Sequence, residues 1–273
     1  MRWAASSIRR GRILAWTATQ RWHNSTVNAE EVAKFSRIGA GWWEQGSSAG
    51  VGPLHAMNPA RVGFIRDSLA KKLGLQGKPV LEQLQGLEIL DVGCGGGLLS
   101  EALSRLGAKV TAIDPSEENI RVAKQHSLVD PQTSSIEYHC TTVEDLAASG
   151  KSFDAVCSLE VLEHVESPLA FVKSCRQCLR PGGSLFLATI NRTAKSYAMT
   201  ILGAEYLLRL LPVGTHDWNK FITPEELIAL LAASGGKVTT LDVQGLVLEP
   251  SLPPRWALSR TDHDINYITH AHF

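Results

Sequence analysis

Two carboxylates and one imidazole follow the fourth predicted strand of the chain, which covers residues 153–158. They are Glu160, Glu163 and His164, and on a helical turn positions i, i+3 and i+4 share one face. Open α/β sheets bind ligands at the carboxyl ends of their strands, which is where these residues fall. The three side chains suit a hard cation such as Mg²⁺, which would keep waters or substrate oxygens as further ligands. A Glu-His pair at this place could also orient the loop or border a substrate without any metal.

A glycine-rich segment at residues 91–97, with the sequence DVGCGGG, lies between the first predicted strand and a predicted helix. Asp114 ends the second predicted strand, 21 residues after Gly93, where a carboxylate can accept both ribose hydroxyls of a nucleoside. A dinucleotide fingerprint would require glycine at position 98, which is Leu98. The acidic Asp91 would repel a pyrophosphate but suits an ammonium group. The segment therefore favours S-adenosylmethionine over NAD.

These residues lie on a regular alternation of predicted strands and helices. Strands are predicted at 87–92, 109–113, 136–140, 153–158 and 184–189, with further candidates near 237–243 and 264–269. Helices are predicted at 30–45, 58–73, 98–106, 116–127, 167–179 and 223–234. Repeated βα units of this length predict an α/β fold: a Rossmann-like, doubly wound and mostly parallel sheet of seven strands with helices on both faces.

The composition excludes several function classes. The 273 residues include 27 Lys and Arg and 27 Asp and Glu, so the net charge of zero gives no electrostatic reason to expect nucleic-acid binding. No apolar run approaches the roughly 18 residues of a transmembrane helix. The cysteines show no regular spacing, which indicates a reducing compartment; they are Cys94, Cys140, Cys157, Cys175 and Cys178. We expect Cys175 and Cys178 to pack within a helix rather than form a redox pair.

Residues 1–29 differ from the rest of the chain. They contain five arginines and no acidic residue, together with several serines and threonines. This composition predicts a mitochondrial transit peptide followed by one domain at 30–273, although a disordered basic arm is an alternative interpretation. The remaining chain has 22 basic and 27 acidic residues, hence a net charge of −5. Overall charge would not draw it to an anionic membrane.

An apolar insertion at 196–222 follows the fifth strand. Within residues 196–211 the only charges are Glu205 and Arg209, which are four residues apart and could pair on a helix face. The segment could be an ordinary core helix. It could also lie in a membrane interface or cover an apolar substrate.

The glycine segment within 90–99, Asp114 and the sequence RPGG at 180–183 resemble the class I S-adenosylmethionine-dependent methyltransferases. A closer resemblance, to the O-methyltransferases of ubiquinone biosynthesis, covers nearly all of residues 30–273. It rests on MNPARV at 57–62, LEVLEH at 159–164, GTHD at 214–217 and DINY at 264–267.

The resemblance implies a set of ligands and site residues. It places cofactor contacts at Arg61, Gly93, Asp114 and Leu159. It places Mg²⁺ at Glu160, Glu163 and His164. The implied reaction methylates ring hydroxyls of polyprenylated catechols on the matrix side of the mitochondrial inner membrane. The implied enzyme is peripheral to that membrane and works beside other ubiquinone-biosynthesis proteins. Outside the transit segment no basic cluster interleaved with aromatic residues exists, so we expect no nucleic-acid binding.

The sequence offers two routes for removal of the phenolic proton. A phenol with a pKa near ~10 is mostly protonated at pH 7, so its proton must be removed. A bound cation could stabilise the phenolate. Alternatively, His164 or His216 could act as a general base. The wider alternatives are a class I methyltransferase for another small molecule, protein or RNA, and a catalytically silent cofactor-binding subunit.

Overall fold

The computed structural model describes residues 25–44, 51–252 and 255–273, so most of the predicted transit peptide lies outside the described residues. The described strands are β1 (Glu88–Val92), β2 (Lys109–Asp114), β3 (Glu137–Cys140), β4 (Phe153–Leu159), β5 (Leu179–Ile190), β6 (Thr240–Glu249), β7 (Arg255–Ser259) and β8 (Asn266–His272). They form one sheet in the order β3-β2-β1-β4-β5-β8-β6-β7. Strands β1 to β5 run parallel, whereas β8 is antiparallel to both of its neighbours and β7 is antiparallel to β6.

This arrangement confirms the predicted Rossmann-like α/β fold and adds one strand to it. Strand β7 was not predicted, because its five residues follow a proline-rich stretch of sequence at 250–254 and show no alternation of buried and exposed positions. It is an edge strand that pairs with β6 alone. Strand β6 also begins and ends several residues later than predicted, so that β6 and β7 form a hairpin.

The helices lie on both faces of the sheet. They are α1 (Ala29–Ser36), α2 (Gly52–Leu73), α3 (Leu98–Arg105), α4 (Glu117–Ser127), α5 (Val143–Ala148), α6 (Pro168–Gln177), α7 (Ala194–Ser196) and α8 (Pro224–Ala233). Side-chain caps fix two helix starts: the Ser116 hydroxyl accepts from the backbone N–H of Asn119 at the start of α4, and Thr223 and Glu226 form a capping box at the start of α8.

Two predicted N-terminal helices have different bounds. The first ends at Ser36, and a 3₁₀ turn at Gly39–Trp42 follows it, because the φ of +52° at Gly39 does not fit a continuous α-helix. The second begins six residues earlier than predicted and continues through Pro59. Its first turns pack Leu54 against an apolar cluster that includes Trp42, and this tertiary burial outweighs the local signal of the proline.

The insertion forms a π-helix at Tyr197–Leu207 directly after α7. The predicted pairing of Glu205 with Arg209 is wrong. Glu205 is buried and instead accepts hydrogen bonds from the backbone N–H groups of Gly214 and His216, at 2.7 and 3.0 Å. Arg209 lies beyond the end of the π-helix with a φ of +49°.

The interior contains an apolar cluster on each face of the sheet. All five cysteines are free, and Cys175 and Cys178 are fully buried, which confirms that they pack in the interior. No helix within the described ranges is long and apolar enough to cross a membrane.

Candidate active site

A cavity of about 490 Å³ lies at the carboxyl edge of the parallel strands. The ends of β1, β2, β4 and β5 form its floor, while α1, α2 and the insertion contribute walls. All the predicted site residues line it: Arg61, Gly93, Asp114, Leu159, Glu160, Glu163 and His164, together with His216. The sequence interpretation thus selected residues from distant parts of the chain that the fold brings together.

The glycine segment leaves no room for side chains at the cavity floor. Gly93 has a φ of +75°, and a Cβ atom there would lie 2.4 Å from a Val161 methyl carbon. A Cβ at Gly95 or Gly96 would lie 2.4 Å from the Trp42 side chain, which covers the segment. The Trp42 indole N–H donates to Asn119 Oδ1 at 3.0 Å and is fixed in this position. Glycine is therefore required for conformation and for close approach.

The Asp114 carboxylate is held in one orientation at the end of β2. Its Oδ2 accepts from the backbone N–H of Gly95 at 3.0 Å. Its Oδ1 accepts from the Ser116 N–H at 2.8 Å and from the Asn119 side-chain amide at 3.2 Å. Burial raises the pKa of Asp114, and these hydrogen bonds oppose that shift. A carboxylate in this setting is oriented to accept further hydroxyl groups from the cavity.

Asp91 is a second buried carboxylate, at the head of the glycine segment. It is 2% exposed, and the Ser100 hydroxyl donates to its Oδ2 at 2.5 Å. Burial raises its pKa to about 6, even though the Ser100 hydrogen bond and the Arg61 guanidinium act in the opposite direction. The cavity therefore holds a negative charge that the protein alone compensates only in part.

Arg61 is buried in the cavity wall, although the sequence pattern alone would place it on the surface. Its Nη2 donates to the Leu54 carbonyl at 3.1 Å and to Asn58 Oδ1 at 3.4 Å. Its Nη1 lies 3.9 Å from Glu160 Oε1, and its Nε has no hydrogen-bond partner within the described structure. A buried cation with an unused donor can bind a polar ligand. The contact of Arg61 with the cofactor stays a prediction.

Glu160 does not lie on a helical turn with Glu163 and His164, so the predicted one-face geometry is wrong. It has a φ of +58° between the end of β4 and a 3₁₀ turn at Leu162–His164. Non-glycine residues rarely adopt this conformation, and such strain clusters at functional sites. Glu160 Oε2 accepts from the Asn266 side-chain amide at 3.2 Å. Its Oε1 is buried and has no hydrogen-bond partner among the described residues.

Glu163 and His164 each form a hydrogen bond with a different residue. The Thr189 hydroxyl donates to Glu163 Oε2 at 2.8 Å, while Glu163 Oε1 is buried without a hydrogen bond in the described part of the chain. Burial, followed by the charge of Glu160, raises the pKa of Glu163 to about 8. His164 Nδ1 is hydrogen-bonded to Glu31 Oε2 at 2.9 Å, and burial lowers the pKa of this imidazole.

The three predicted metal ligands thus line one cavity without converging on one point. Across residues 25–44, 51–252 and 255–273, no three His, Cys, Asp or Glu side chains have the arrangement of a metal site. The cavity does contain two buried carboxylate oxygens, Glu160 Oε1 and Glu163 Oε1, that accept no hydrogen bond from the described residues.

Sequence reasoning missed two carboxylates that hold the cavity histidines. Glu31 of α1 binds His164, and Glu205 of the insertion binds His216 Nδ1 at 3.0 Å. The two imidazole rings lie 6.2 Å apart between their centroids. Lys34 of α1 reinforces this region by donating to the carbonyl of Thr215 at 2.6 Å. No local pattern identifies Glu31, because its partner is 133 residues away along the chain.

The cavity wall beside β3 was also missed. Residues 141–144 follow that strand and line the cavity. Their place at a strand end was a usable signal, because the same rule selected Asp114. Trp42 gave no such signal, since it lies in a short 3₁₀ turn outside the βα units.

Comparisons with known proteins identify close relatives of this chain. Residues 90–187 match the family model described as a methyltransferase domain. The chain is 46% identical over 246 residues to the mitochondrial ubiquinone biosynthesis O-methyltransferase of Arabidopsis thaliana, covering 90% of this chain and 74% of that protein. It is also 46% identical over 248 residues to the ubiquinone biosynthesis O-methyltransferase of Methylocella silvestris, covering 89% and 94%.

Solved structures show the same fold at low identity. An S-adenosylmethionine-dependent methyltransferase of Thermotoga maritima aligns with a TM-score of 0.57 and 16% identity, covering 88% of this chain and 98% of that one. The magnesium protoporphyrin IX methyltransferase of Synechocystis with bound S-adenosylhomocysteine aligns with a TM-score of 0.52 and 21% identity, covering 77% and 82%.

Proposed function

The chain belongs to the family of the ubiquinone biosynthesis O-methyltransferases, which makes it an enzyme that depends on S-adenosylmethionine, and we propose that it methylates a ring hydroxyl of a polyprenylated catechol. One observation carries the proposal: the glycine segment, Asp114 and a set of apolar side chains line a single cavity. A polar cofactor and a largely apolar acceptor can therefore meet there.

The cofactor half of the cavity follows from the glycine segment. We expect the cofactor to lie against the backbone at Gly93 and its ribose hydroxyls to donate to Asp114. The ammonium group of the methionine part would face the buried negative charge of Asp91. We assign Arg61 to a polar contact and Leu159 to a packing contact with the cofactor. These assignments are supported by the shared cavity and by the oriented carboxylates.

The acceptor must lose a phenolic proton, and we propose that Mg²⁺ assists this step. Glu160, Glu163 and His164 would have to converge to hold the ion. The proposal is supported by two buried oxygens that accept no hydrogen bond, namely Glu163 Oε1 and Glu160 Oε1, the second of which lies 3.9 Å from Arg61 Nη1. His164 would offer Nε2, because its Nδ1 faces Glu31, as is common for metal-ligating histidines. Such an ion would supply positive charge beside the phenolate oxygen of the acceptor.

A second candidate for removing the proton is His216. Its Nδ1 is hydrogen-bonded to the buried Glu205, which leaves Nε2 free to accept a proton from the acceptor. A carboxylate-held imidazole of this kind needs no metal.

A pair of variants separates the two mechanisms. The double variant Glu160→Gln with Glu163→Gln keeps side-chain volume and an acceptor oxygen for Thr189 and Asn266. We expect it to lose Mg²⁺-stimulated turnover of a short-tailed catechol by at least 100-fold while S-adenosylmethionine still binds. Full activity of this variant in EDTA, together with loss of activity in His216→Gln, would refute metal assistance and support the imidazole.

We further propose that the protein acts at the matrix side of the mitochondrial inner membrane, beside other ubiquinone-biosynthesis proteins. The arginine-rich start of the chain and the mitochondrial relative from Arabidopsis thaliana support the compartment. The insertion supports membrane contact through exposed apolar side chains, namely Tyr197, Met199, Leu202, Tyr206, Leu207, Leu208 and Leu210. A fluorescent reporter fused to residues 1–29 should enter mitochondria, and replacing its five arginines with glutamine should leave it in the cytosol.

A further inference from the structure

The rim of the cavity is formed by two elements. Among the described residues that line the cavity, every exposed one is apolar: Met199, Leu208, Leu210, Pro212 and Leu248. Residues that line a cavity and are also exposed mark the place where it opens. Four of them belong to the insertion, but the fifth, Leu248, comes from β6, far along the chain.

The β6–β7 hairpin reaches this rim because it extends past the end of the sheet. Strand β6 pairs with β8 only as far as Leu246, which lies opposite Asn266. Asn266 also pairs with Ile190, the last residue of β5, so this register marks the carboxyl edge where the cavity lies. Beyond Leu246, the last three residues of β6 pair with β7 alone. The end of the hairpin therefore projects beside the cavity opening.

Leu248 and Trp256 form an apolar pair on the hairpin. They lie directly opposite each other in the β6–β7 register, so their side chains are on the same face. Both line the cavity, and Leu248 is 55% exposed. The exposed side chain of Leu248 offers no hydrogen bond. Its burial under an apolar ligand is favourable, because apolar surface is then removed from water.

We infer that Leu248 and Trp256 form one wall of a subsite for the isoprenoid tail of the acceptor, at the opening to which the insertion also contributes. The inference rests on the proposed function, because the acceptor of that reaction joins a polar ring to an apolar chain. The ring must reach the carboxyl edge of the sheet, and an apolar chain attached to it leaves through the apolar opening. Leu248 then acts on tail recognition and not on methyl transfer.

Two acceptors test this assignment: a dihydroxybenzoate carrying two isoprene units and the same ring without a tail. We expect Leu248→Gln to lower kcat/KM for the tailed acceptor about fivefold, mainly through KM, and to leave the tailless acceptor unchanged. Leu241→Gln is the matched control, because Leu241 is also an exposed residue of β6 but does not line the cavity. It should behave as wild type on both acceptors.

A binding measurement makes the test independent of turnover. Equilibrium dialysis with tritiated farnesol should give a Kd about five times higher for Leu248→Gln than for wild type and Leu241→Gln. Equal loss on both acceptors, or unchanged farnesol binding, would overturn the inference. If wild type methylates neither acceptor but farnesol binding still depends on Leu248, the proposed function fails and the tail subsite stands.

Discussion

Replacement of Asp91 with asparagine tests whether the buried negative charge of Asp91 destabilises the ligand-free protein and binds a cationic group of the cofactor. Asp91 is buried at the head of that segment, and the Ser100 hydroxyl is its close hydrogen-bond donor. An asparagine oxygen can accept the same hydrogen bond at almost the same volume. The substitution therefore removes the charge and little else.

The expected magnitude follows from the pKa of Asp91. Its value is about 6 in the folded protein, against 3.8 for an unperturbed aspartate. The folded protein therefore binds the Asp91 proton more tightly than the unfolded chain does. As the pH rises from 3.8 to about 6, ionisation of Asp91 lowers the free energy of unfolding, and the loss is complete above pH 6. The cost is about 3 kcal/mol at pH 7.5 and about 1.5 kcal/mol at pH 5. Below the unfolded pKa it vanishes.

Urea unfolding of the ligand-free protein at both pH values measures this effect. Asp91→Asn should raise the free energy of unfolding by about 3 kcal/mol at pH 7.5 and by about half as much at pH 5. Calorimetric titration should show S-adenosylmethionine binding at least tenfold weaker, because the ammonium group loses its carboxylate. The control Asp67→Asn removes an exposed charge and should change neither quantity. A variant that is less stable than wild type at pH 7.5, or whose gain does not depend on pH, would refute the reasoning.

Three further variants probe other parts of the site. Gly93→Ala should weaken S-adenosylmethionine binding at least tenfold by calorimetry, because its Cβ meets a side chain at 2.4 Å and its φ is positive; wild-type affinity would contradict this. Leu207→Glu combined with Leu210→Glu should reduce flotation with cardiolipin-containing vesicles while S-adenosylmethionine binding stays unchanged, and undiminished flotation would count against membrane contact by the insertion. Glu205→Ala should lower the free energy of unfolding by about 3 kcal/mol in urea, because buried donors lose their acceptor; a change below about 0.5 kcal/mol would be inconsistent with the described contacts.

The parallel half of the fold was predictable because each of its elements has a local cause. Buried strands appear as apolar runs, and Ser116 and Thr223 mark helix starts through side-chain caps. The rule that ligands bind at strand ends then placed Gly93 and Asp114 at one edge of the sheet. The antiparallel part was less predictable, because β7 is a short edge strand whose pairing depends on a hairpin and not on its own residue pattern.

The geometry of the candidate site was less predictable than the positions of its residues along the chain. The spacing of Glu160, Glu163 and His164 fits a helical turn, but the positive φ of Glu160 gives each side chain a separate partner. At this point the Glu160 N–H donates to the carbonyl of Ala188 on β5, so the chain is still held by a contact between strands where the predicted helical turn would begin. Spacing along the chain carries no information about such a contact.

Helix α1, which contributes part of the cavity wall, is held less strongly than the sheet. Helix α1 contains no fully buried residue, and it is attached by polar contacts such as Glu31 with His164 and Lys34 with the Thr215 carbonyl. Polar contacts at partly exposed positions contribute little net free energy, typically up to about 1 kcal/mol each, whereas the sheet is held by fully buried side chains. The floor of the cavity is therefore much more strongly held than this part of its wall. A segment that buries little apolar surface opens locally more readily than the buried strands do.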